Sequence, residues 1–216
     1  MGLSEDTFVF ANFNAPHKTN PFMLNLWAEI LKNCPSSVML LLSSEAQVEE
    51  NLRTEFLLRG VSDERLRFSG HMPSKDHLAC LSVADLILDS FPYGGHTLAS
   101  DALWAGAPVL TLCGESFSSR VAGSLLRAVS LNQLITYSPE EYVQRAIELC
   151  RNRDWIGGAK EYLVANRGQF DLFNPVRYAR EFERLMVNLT RVYDSPSLRA
   201  QLFRKSCSLS DDRKMV

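Results

Sequence analysis

The sequence predicts an α/β protein with a Rossmann-like parallel sheet and helices on both faces. Apolar runs of strand length alternate with helical patterns along most of the chain. Most of these runs lack the period-two polarity of a half-exposed strand, which is typical of strands covered on both faces. Strict alternation of strand and helix favours a parallel sheet, because each parallel connection has to cross back over a face of the sheet.

Six runs rich in apolar and β-branched residues are predicted as strands. They are Thr7–Phe13, Val38–Ser44, Leu66–Gly70, Ala84–Ser90, Pro108–Gly114 and Leu134–Tyr137. Between them lie five helical patterns, Pro21–Asn33, Glu45–Gly60, Ser74–Val83, Thr97–Gly106 and Ser116–Val129. Gly60 and Gly106 are expected to stop their helices, and Ser74 is expected to be an N-cap.

After Tyr137 the pattern becomes helical only. Three helices are predicted over SPEEYVQRAIELCRN, DWIGGAKEYLVANRG and NPVRYAREFERLMVNLTRVY, the first with Ser138 as N-cap before a proline. The last helix carries an apolar stripe that either packs on the sheet or docks another domain. We therefore assign residues 1–193 to one lobe and residues 194–216 to a polar, poorly ordered tail, with a short helix at Ser197–Lys205.

Composition excludes several classes of protein. Of 216 residues, 46% are hydrophobic and 22% are charged, as in soluble globular proteins, and the net charge of −2 gives no bulk attraction to nucleic acid or anionic membranes. No apolar run approaches the roughly 18–20 residues of a membrane span. Five scattered cysteines, without C-x-x-C spacing, argue against a disulfide framework and for a reduced, cytoplasmic protein. The four histidines do not fall at zinc-binding spacings, so no metal is expected.

The segment SFPYGGHTLASDALWAGAPVL, Ser90 to Leu110, places two glycines between a strand and a helix. Ligands of open parallel sheets bind beyond the carboxyl ends of the strands, and the free amides and dipole of a helix start favour an anion there. Gly95 lets the backbone approach closely, Thr97 adds a hydroxyl, and the His96 ring can stack or donate. The alternative is that Gly-Gly forms only a tight turn.

Asp101 follows Thr97 by four residues, one helical turn along the same face. An ionised carboxylate only accepts hydrogen bonds, so it would repel phosphate and suit a pair of ribose hydroxyls. Diphosphate at the helix start with ribose beside Asp101 describes a nucleoside diphosphate. The alternative is that Asp101 only favours the helix dipole.

Three separate segments carry a family resemblance: DSFPYGGHTLASDALWAGAPVLTLCGESFSSRVAGSLL, FVFANFNAPHKTNPFMLNLWAEILKNCPSSVMLLL and LRFSGHMPSKDHLACLSVADL. Together they resemble the C-terminal part of the protein O-linked N-acetylglucosamine transferases, glycosyltransferase family 41, in the bacterial SPINDLY-like branch. The resemblance extends from about Thr7 to Tyr193. It implies the C-terminal lobe of a two-lobed GT-B enzyme, whose N-terminal lobe and preceding tetratricopeptide repeats are not in this sequence.

The activity that the resemblance implies is transfer of N-acetylglucosamine from UDP-N-acetylglucosamine to Ser or Thr of an acceptor protein, without a metal cofactor. Lys18, in the NFN-x-x-x-K loop, would contact the diphosphate and stabilise its departure as the catalytic residue. The backbone of Met72 and the ring of His77 would surround the uracil.

The same resemblance assigns the phosphates to Gly95, His96 and Thr97, and the ribose to Asp101. Three positions depart from the family pattern: Ala15, Cys80 and Leu98 replace a Gln, an Arg and a second Thr. These departures and the missing lobe leave a second hypothesis open, a catalytically inactive nucleotide-binding or protein-interaction module of the same fold.

Overall fold

Six parallel strands form one sheet in the computed structural model, which describes residue 4 and residues 6–70 and 72–195. The strands are β1 (Phe8–Asn12), β2 (Ser37–Leu42), β3 (Leu66–Ser69), β4 (Leu86–Leu88), β5 (Val109–Leu112) and β6 (Ile135–Thr136). Their order is β3-β2-β1-β4-β5-β6, and each neighbouring pair is parallel. The predicted Rossmann-like sheet and all six of its strands are confirmed.

Eight α-helices follow the predicted patterns. They are α1 (Pro21–Asn33), α2 (Ala46–Leu58), α3 (Ser74–Val83), α4 (Thr97–Ala105), α5 (Phe117–Ala128), α6 (Pro139–Arg151), α7 (Arg153–Asn166) and α8 (Pro175–Asp194). Short 3-10 turns lie at Pro16–Lys18, Asp63–Arg65, Asn132–Leu134, Arg167–Gln169 and Asp171–Phe173. All eight predicted helices of the described residues are confirmed, α1 and α3 to the residue.

The helix ends test the predicted caps. Gly60, two residues after the end of α2, and Gly106, directly after α4, have φ of +80° and +86°, the left-handed conformation that stops a helix. The Ser138 hydroxyl accepts a hydrogen bond from the Glu141 amide at 3.1 Å, so that N-cap is also confirmed. Ser74 as an N-cap was wrong. It is the first residue of α3, because Pro73, extended at φ −55° and ψ 150°, already occupies the cap position.

The core explains why the strand sequences are apolar without alternation. Every residue of β1, β4 and β5 is buried, so neither face of these central strands meets water. Helix α1 contributes Met23, Trp27 and Ile30, each 0% exposed and spaced three to four residues apart. Burial of both sheet faces leaves the ends of the strands as the place where polar chemistry can be exposed.

The chain divides into two compact units, Met1–Phe173 and Asn174–Val216. In the second unit the described structure is helix α8, which the Asn174 side chain caps by accepting from the Arg177 amide at 3.0 Å. No residue of α8 is buried, and its predicted apolar stripe is exposed. The predicted short helix at 197–205 and nearly all of the predicted tail lie outside the described residues, so the division at residue 193 stays a prediction.

Candidate nucleotide-binding site

The candidate site lies where β1 and β4 lie side by side in the sheet. From β1 the chain continues to β2 and β3 on one side, whereas from β4 it continues to β5 and β6 on the other. The connections that leave the two strands therefore separate and open a crevice at their carboxyl ends, where sheets of this class bind ligands. The loop after β1 carries Lys18, and the turn after β4 carries Gly95 and His96.

Lys18 connects these two segments. Its Nζ atom donates to the Gly94 carbonyl oxygen at 3.1 Å and to Asn14 Oδ1 at 3.4 Å, and it lies 4.1 Å from the centroid of the Tyr93 ring. Burial lowers the pKa of the Lys18 ammonium, while the nearby negative charge of Asp89 acts in the opposite direction. Lys18 forms no ion pair with any described residue, so its positive charge remains available to an anion.

The start of α4 supplies backbone donors beside this cation. His96 occupies the N-cap position, and its side chain makes no capping hydrogen bond, whereas Ser116 caps α5 by accepting from the Ser119 amide. Thr97, the first residue of α4, is exposed. The first amides of a helix have no acceptor within the helix, so an uncapped start can bind an anion.

Aromatic contacts hold the His96 ring. It stacks on Tyr93, with centroids 5.3 Å apart and an interplanar angle of 17°, and meets the edge of Phe117 at 5.7 Å. Its Nε2 atom lies 3.4 Å from the Ser118 carbonyl oxygen. The ring is thus fixed beside the helix start, on the Tyr93 side chain that Lys18 also contacts.

The two glycines have a structural task that the sequence did not indicate. The Gly95 amide donates to Asp89 Oδ1 at 2.6 Å, and the Gly94 amide donates to the Ser118 carbonyl oxygen at 3.1 Å. A Cβ atom on Gly94 would lie 2.8 Å from Asp89 Oδ2, closer than real Cβ contacts allow. The turn therefore needs glycine at position 94 to pass over a carboxylate of the protein itself, and a ligand contact of Gly95 stays a prediction.

Sequence reasoning missed Asp89, which lies at the centre of the site and is 2% exposed. Its carboxylate also accepts from the Ser90 amide at 2.9 Å, Thr111 Oγ1 at 2.8 Å and Asn14 Nδ2 at 3.3 Å. Burial raises the pKa of Asp89, and these hydrogen bonds act in the opposite direction. An acidic residue ending an otherwise apolar strand was the available signal, because Asp is seldom buried unless it has partners.

The predicted ribose and base residues lie on the neighbouring helices α4 and α3 and in the connection before α3. The carboxylate of Asp101, one turn into α4, makes no hydrogen bond or ion pair with the described residues, so it is free to accept. The half-buried His77 ring of α3 meets Phe13 edge-on at 5.7 Å, which places it beside the loop after β1. Met72 is half-buried in the connection from β3 to α3. Helices α3 and α4 pack together.

Comparison with known proteins decides the family. Residues 1–182 match the family model described as glycosyl transferase family 41. The chain belongs to glycosyltransferase family 41.

Named relatives of this family 41 chain agree with that assignment. It is 38% identical over 184 residues to the probable UDP-N-acetylglucosamine–peptide N-acetylglucosaminyltransferase SEC of Arabidopsis thaliana, covering 85% of this chain and 19% of that protein. It is 34% identical over 193 residues to the Caenorhabditis elegans UDP-N-acetylglucosamine–peptide N-acetylglucosaminyltransferase, covering 89% and 17%. The chain thus spans about a fifth of the length of these relatives.

A solved structure supports the fold. A mutant of the Thermobaculum terrenum O-GlcNAc transferase superposes with a TM-score of 0.76 at 31% identity, covering 85% of this chain and 37% of that one. The family resemblance and the expected GT-B lobe are therefore confirmed. No helix of the described residues is both long and apolar enough to cross a bilayer.

The structure shows where the three residues that depart from the expected family pattern lie. Leu98 and Cys80 are partly buried and pack against the hydrophobic core, and the Cys80 thiol lies 3.8 Å from Ser69 Oγ. Ala15 precedes the 3-10 turn that carries Lys18. At these three positions the family resemblance leads us to expect a Thr, an Arg and a Gln, respectively.

Proposed function

We propose that this chain is the donor-binding lobe of a protein glycosyltransferase that transfers N-acetylglucosamine from UDP-N-acetylglucosamine to Ser or Thr hydroxyls. One observation carries the proposal: Lys18 Nζ lies 3.1 Å from the Gly94 carbonyl, beside the uncapped start of α4. A cation and a set of free amides at the switch point of an α/β sheet suit a diphosphate. The names of two relatives, each a UDP-N-acetylglucosamine–peptide N-acetylglucosaminyltransferase, support the choice of nucleotide, sugar and acceptor.

The proposed roles follow the chemistry of each group. The diphosphate lies against Gly95, His96, Thr97 and Lys18. Asp101 accepts from the ribose hydroxyls, as its unengaged carboxylate allows. On the other side of the site, the uracil meets the Met72 backbone and the His77 ring.

Transfer makes a bond between the acceptor oxygen and the anomeric carbon, and breaks the bond from that carbon to the diphosphate oxygen. The proton of the acceptor hydroxyl passes to a base, which we expect to lie outside this lobe. The bonding electrons leave with UDP, so negative charge grows on the diphosphate. Lys18 and the amides of α4 are positioned to stabilise that charge. We expect transfer to proceed without a metal cofactor for this reason.

The rest of the enzyme is also part of the proposal. The chain covers 37% of the solved O-GlcNAc transferase mutant. We propose that an N-terminal lobe, preceded by tetratricopeptide repeats, supplies the second wall of the cleft and binds the acceptor protein. The four described cysteines are free thiols, which suits a protein of the cytoplasm.

A second candidate function is a module of the same fold that binds a nucleotide or a protein partner without catalysing transfer. The observation that favours it is Leu98, whose side chain packs on the core where relatives offer a phosphate-binding hydroxyl.

Titration calorimetry of the purified chain with UDP, ADP and pyrophosphate tests the proposal. UDP should bind more tightly than ADP, because only UDP carries the uracil, and more tightly than pyrophosphate, because pyrophosphate lacks ribose and base. Absence of UDP binding, or equal affinity for UDP and ADP, would contradict the donor-binding assignment. A transfer assay with labelled UDP-N-acetylglucosamine, on a protein that also contains the proposed N-terminal lobe, distinguishes the two candidate functions, because only the enzyme transfers sugar.

A further inference from the structure

The buried carboxylate of Asp89 joins segments that are far apart in sequence. Asp89 Oδ1 accepts from the Gly95 amide at 2.6 Å, directly before α4, and from Asn14 Nδ2 at 3.3 Å, in the loop after β1. Asp89 Oδ2 accepts from Thr111 Oγ1 at 2.8 Å, on β5. One side chain therefore fixes both segments that form the candidate diphosphate site.

The link continues to the cation of the site. Asn14 accepts from Lys18 Nζ through its Oδ1 atom at 3.4 Å while it donates to Asp89 through Nδ2. Lys18 Nζ also donates to the carbonyl oxygen of Gly94, which precedes the amide that Asp89 holds. These contacts close a ring from Asp89 through Asn14, Lys18 and the glycine turn back to Asp89.

The backbone of Asp89 is fixed from the opposite side. Its carbonyl oxygen accepts from the Tyr142 hydroxyl of α6 at 3.0 Å, and that hydroxyl accepts from Trp27 Nε1 of α1 at 3.3 Å. All three residues are buried, Trp27 and Tyr142 completely. These buried hydrogen bonds restrain the Asp89 backbone, so the position of its carboxylate relative to the glycine turn is fixed.

We propose that Asp89 is a positioning residue, which holds the start of α4 and the Lys18 loop at a fixed separation so that both contact the same diphosphate. The inference rests on the proposed function for the identity of the ligand. Asp89 itself does not touch the ligand in this arrangement. It acts through the Gly95 amide and through Asn14.

Two substitutions distinguish the effect of the Asp89 hydrogen bonds on UDP binding from the effect of its negative charge. In Asp89→Asn, the amide oxygen can replace Oδ1 and keep the bonds from Gly95 and Asn14, while the NH2 group faces Thr111 Oγ1, which can accept. In Asp89→Ala every one of these bonds is lost. We expect Asp89→Asn to bind UDP within about twofold of the parent, and Asp89→Ala to bind about tenfold or more weakly, the scale of a lost charge-assisted contact.

Thr111→Val provides the matched control. It removes one hydrogen bond to the same carboxylate, on the Oδ2 side, and leaves the bonds from Gly95 and Asn14. Both Thr111→Val and Asp89→Ala should lower the melting temperature, but Thr111→Val should leave UDP affinity within about twofold, because the turn stays in place. Affinities are compared by calorimetry at a temperature where every variant is folded.

If Asp89→Ala does not fold, Gly95→Ala takes its place. A Cβ atom at position 95 would lie 3.3 Å from Asp89 Oδ1 and 3.4 Å from both the Ala99 amide nitrogen and Asn14 Oδ1, which is tighter than ordinary contact, so the turn and the Asp89 carboxylate have to separate by a few tenths of an ångström. UDP affinity should again fall by about tenfold. Parent-like affinity of the folded variant, or an equal loss in Asp89→Asn and Asp89→Ala, would overturn the positioning role.

Amide hydrogen exchange, followed by NMR without ligand, distinguishes this inference from the proposed function. The amide at position 95 should be protected in the parent and in Asp89→Asn, and exchange at least about tenfold faster in Asp89→Ala or, in its place, in Gly95→Ala. Unchanged protection in the folded variant would overturn the positioning role even if UDP binds. Failure of the parent to bind UDP would contradict the proposed function, and the exchange rates would still decide whether Asp89 holds the turn.

Discussion

Replacing Lys18 by methionine removes the ammonium group and keeps an unbranched side chain of similar length. In the folded protein that ammonium bonds to two neutral oxygens, Gly94 O at 3.1 Å and Asn14 Oδ1 at 3.4 Å, and burial lowers its pKa. Loss of these bonds destabilises the protein, whereas relief from burying a charge acts in the opposite direction. We therefore expect Lys18→Met to change the free energy of unfolding by no more than about 1 kcal/mol.

The effect on binding should be larger. A charge-assisted hydrogen bond to phosphate contributes about 1.5–3 kcal/mol, which corresponds to about 10- to 150-fold in the dissociation constant. UDP and pyrophosphate should weaken by similar factors, since both present the diphosphate. Uridine, which has no phosphate, should bind parent and variant equally. Calorimetry at one fixed ionic strength measures all three ligands, because screening changes the contribution of a charge.

Lys160→Met is the matched control. Lys160 Nζ also donates to backbone carbonyls, those of Ser82 at 3.0 Å and Ala84 at 2.8 Å, and burial lowers its pKa too. These carbonyls precede β4, so Lys160 lies at the amino end of the sheet, away from the candidate site. Its variant should bind UDP like the parent. Equal UDP affinity in Lys18→Met and the parent, or equal losses in both lysine variants, would refute a specific contact of Lys18 with the diphosphate.

Further predictions use the same protein and ligands. Asp101→Asn should lower UDP affinity by about 1–2 kcal/mol and leave pyrophosphate binding unchanged or slightly tighter, and equal responses of the two ligands would remove Asp101 from the ribose site. Because burial lowers the pKa of Lys18, raising the pH above neutrality should weaken pyrophosphate binding by the parent, relative to Lys18→Met, at a lower pH than an ordinary lysine would. Gly106→Ala should lower the unfolding free energy by about 1–3 kcal/mol in thermal or denaturant unfolding without changing UDP affinity, because φ is +86° and the new Cβ would lie 2.7 Å from Val164 Cγ2. The purified chain alone should transfer no sugar from labelled UDP-N-acetylglucosamine to protein, and transfer without another subunit would contradict the two-lobe proposal.

The sequence predicted the elements well wherever local chemistry determines them. Helix α1 begins at its predicted residue because Asn20 accepts from the Met23 amide at 3.0 Å and Pro21 occupies the first helical position. Ser74 failed as a cap because α3 begins after Pro73 without any side-chain capping bond. The preference of serine for cap positions does not indicate which of several neighbouring residues adopts the non-helical backbone conformation of the cap.

The site was less accessible to sequence reasoning. The motif around Gly95 and His96 could be recognised locally, and the family resemblance pointed to Lys18. The Asp89 carboxylate could not be assigned a role in this way, because its bond to Asn14 joins residues 75 positions apart. Only the folded sheet, in which β1 and β4 lie side by side, brings those side chains together.

A buried carboxylate beneath an anion site has an electrostatic cost, because its negative charge opposes the charge of a diphosphate. Its two oxygens, however, accept hydrogen bonds from four donors at once: the Gly95 amide, the Ser90 amide, Asn14 Nδ2 and Thr111 Oγ1. An asparagine side chain could replace it only if the Thr111 hydroxyl accepted a hydrogen bond instead of donating one. The charge of Asp89 also raises the pKa of Lys18, which burial alone would lower further. The carboxylate thus helps to keep Lys18 charged while it fixes the backbone around the proposed diphosphate site, and both effects act against the repulsion.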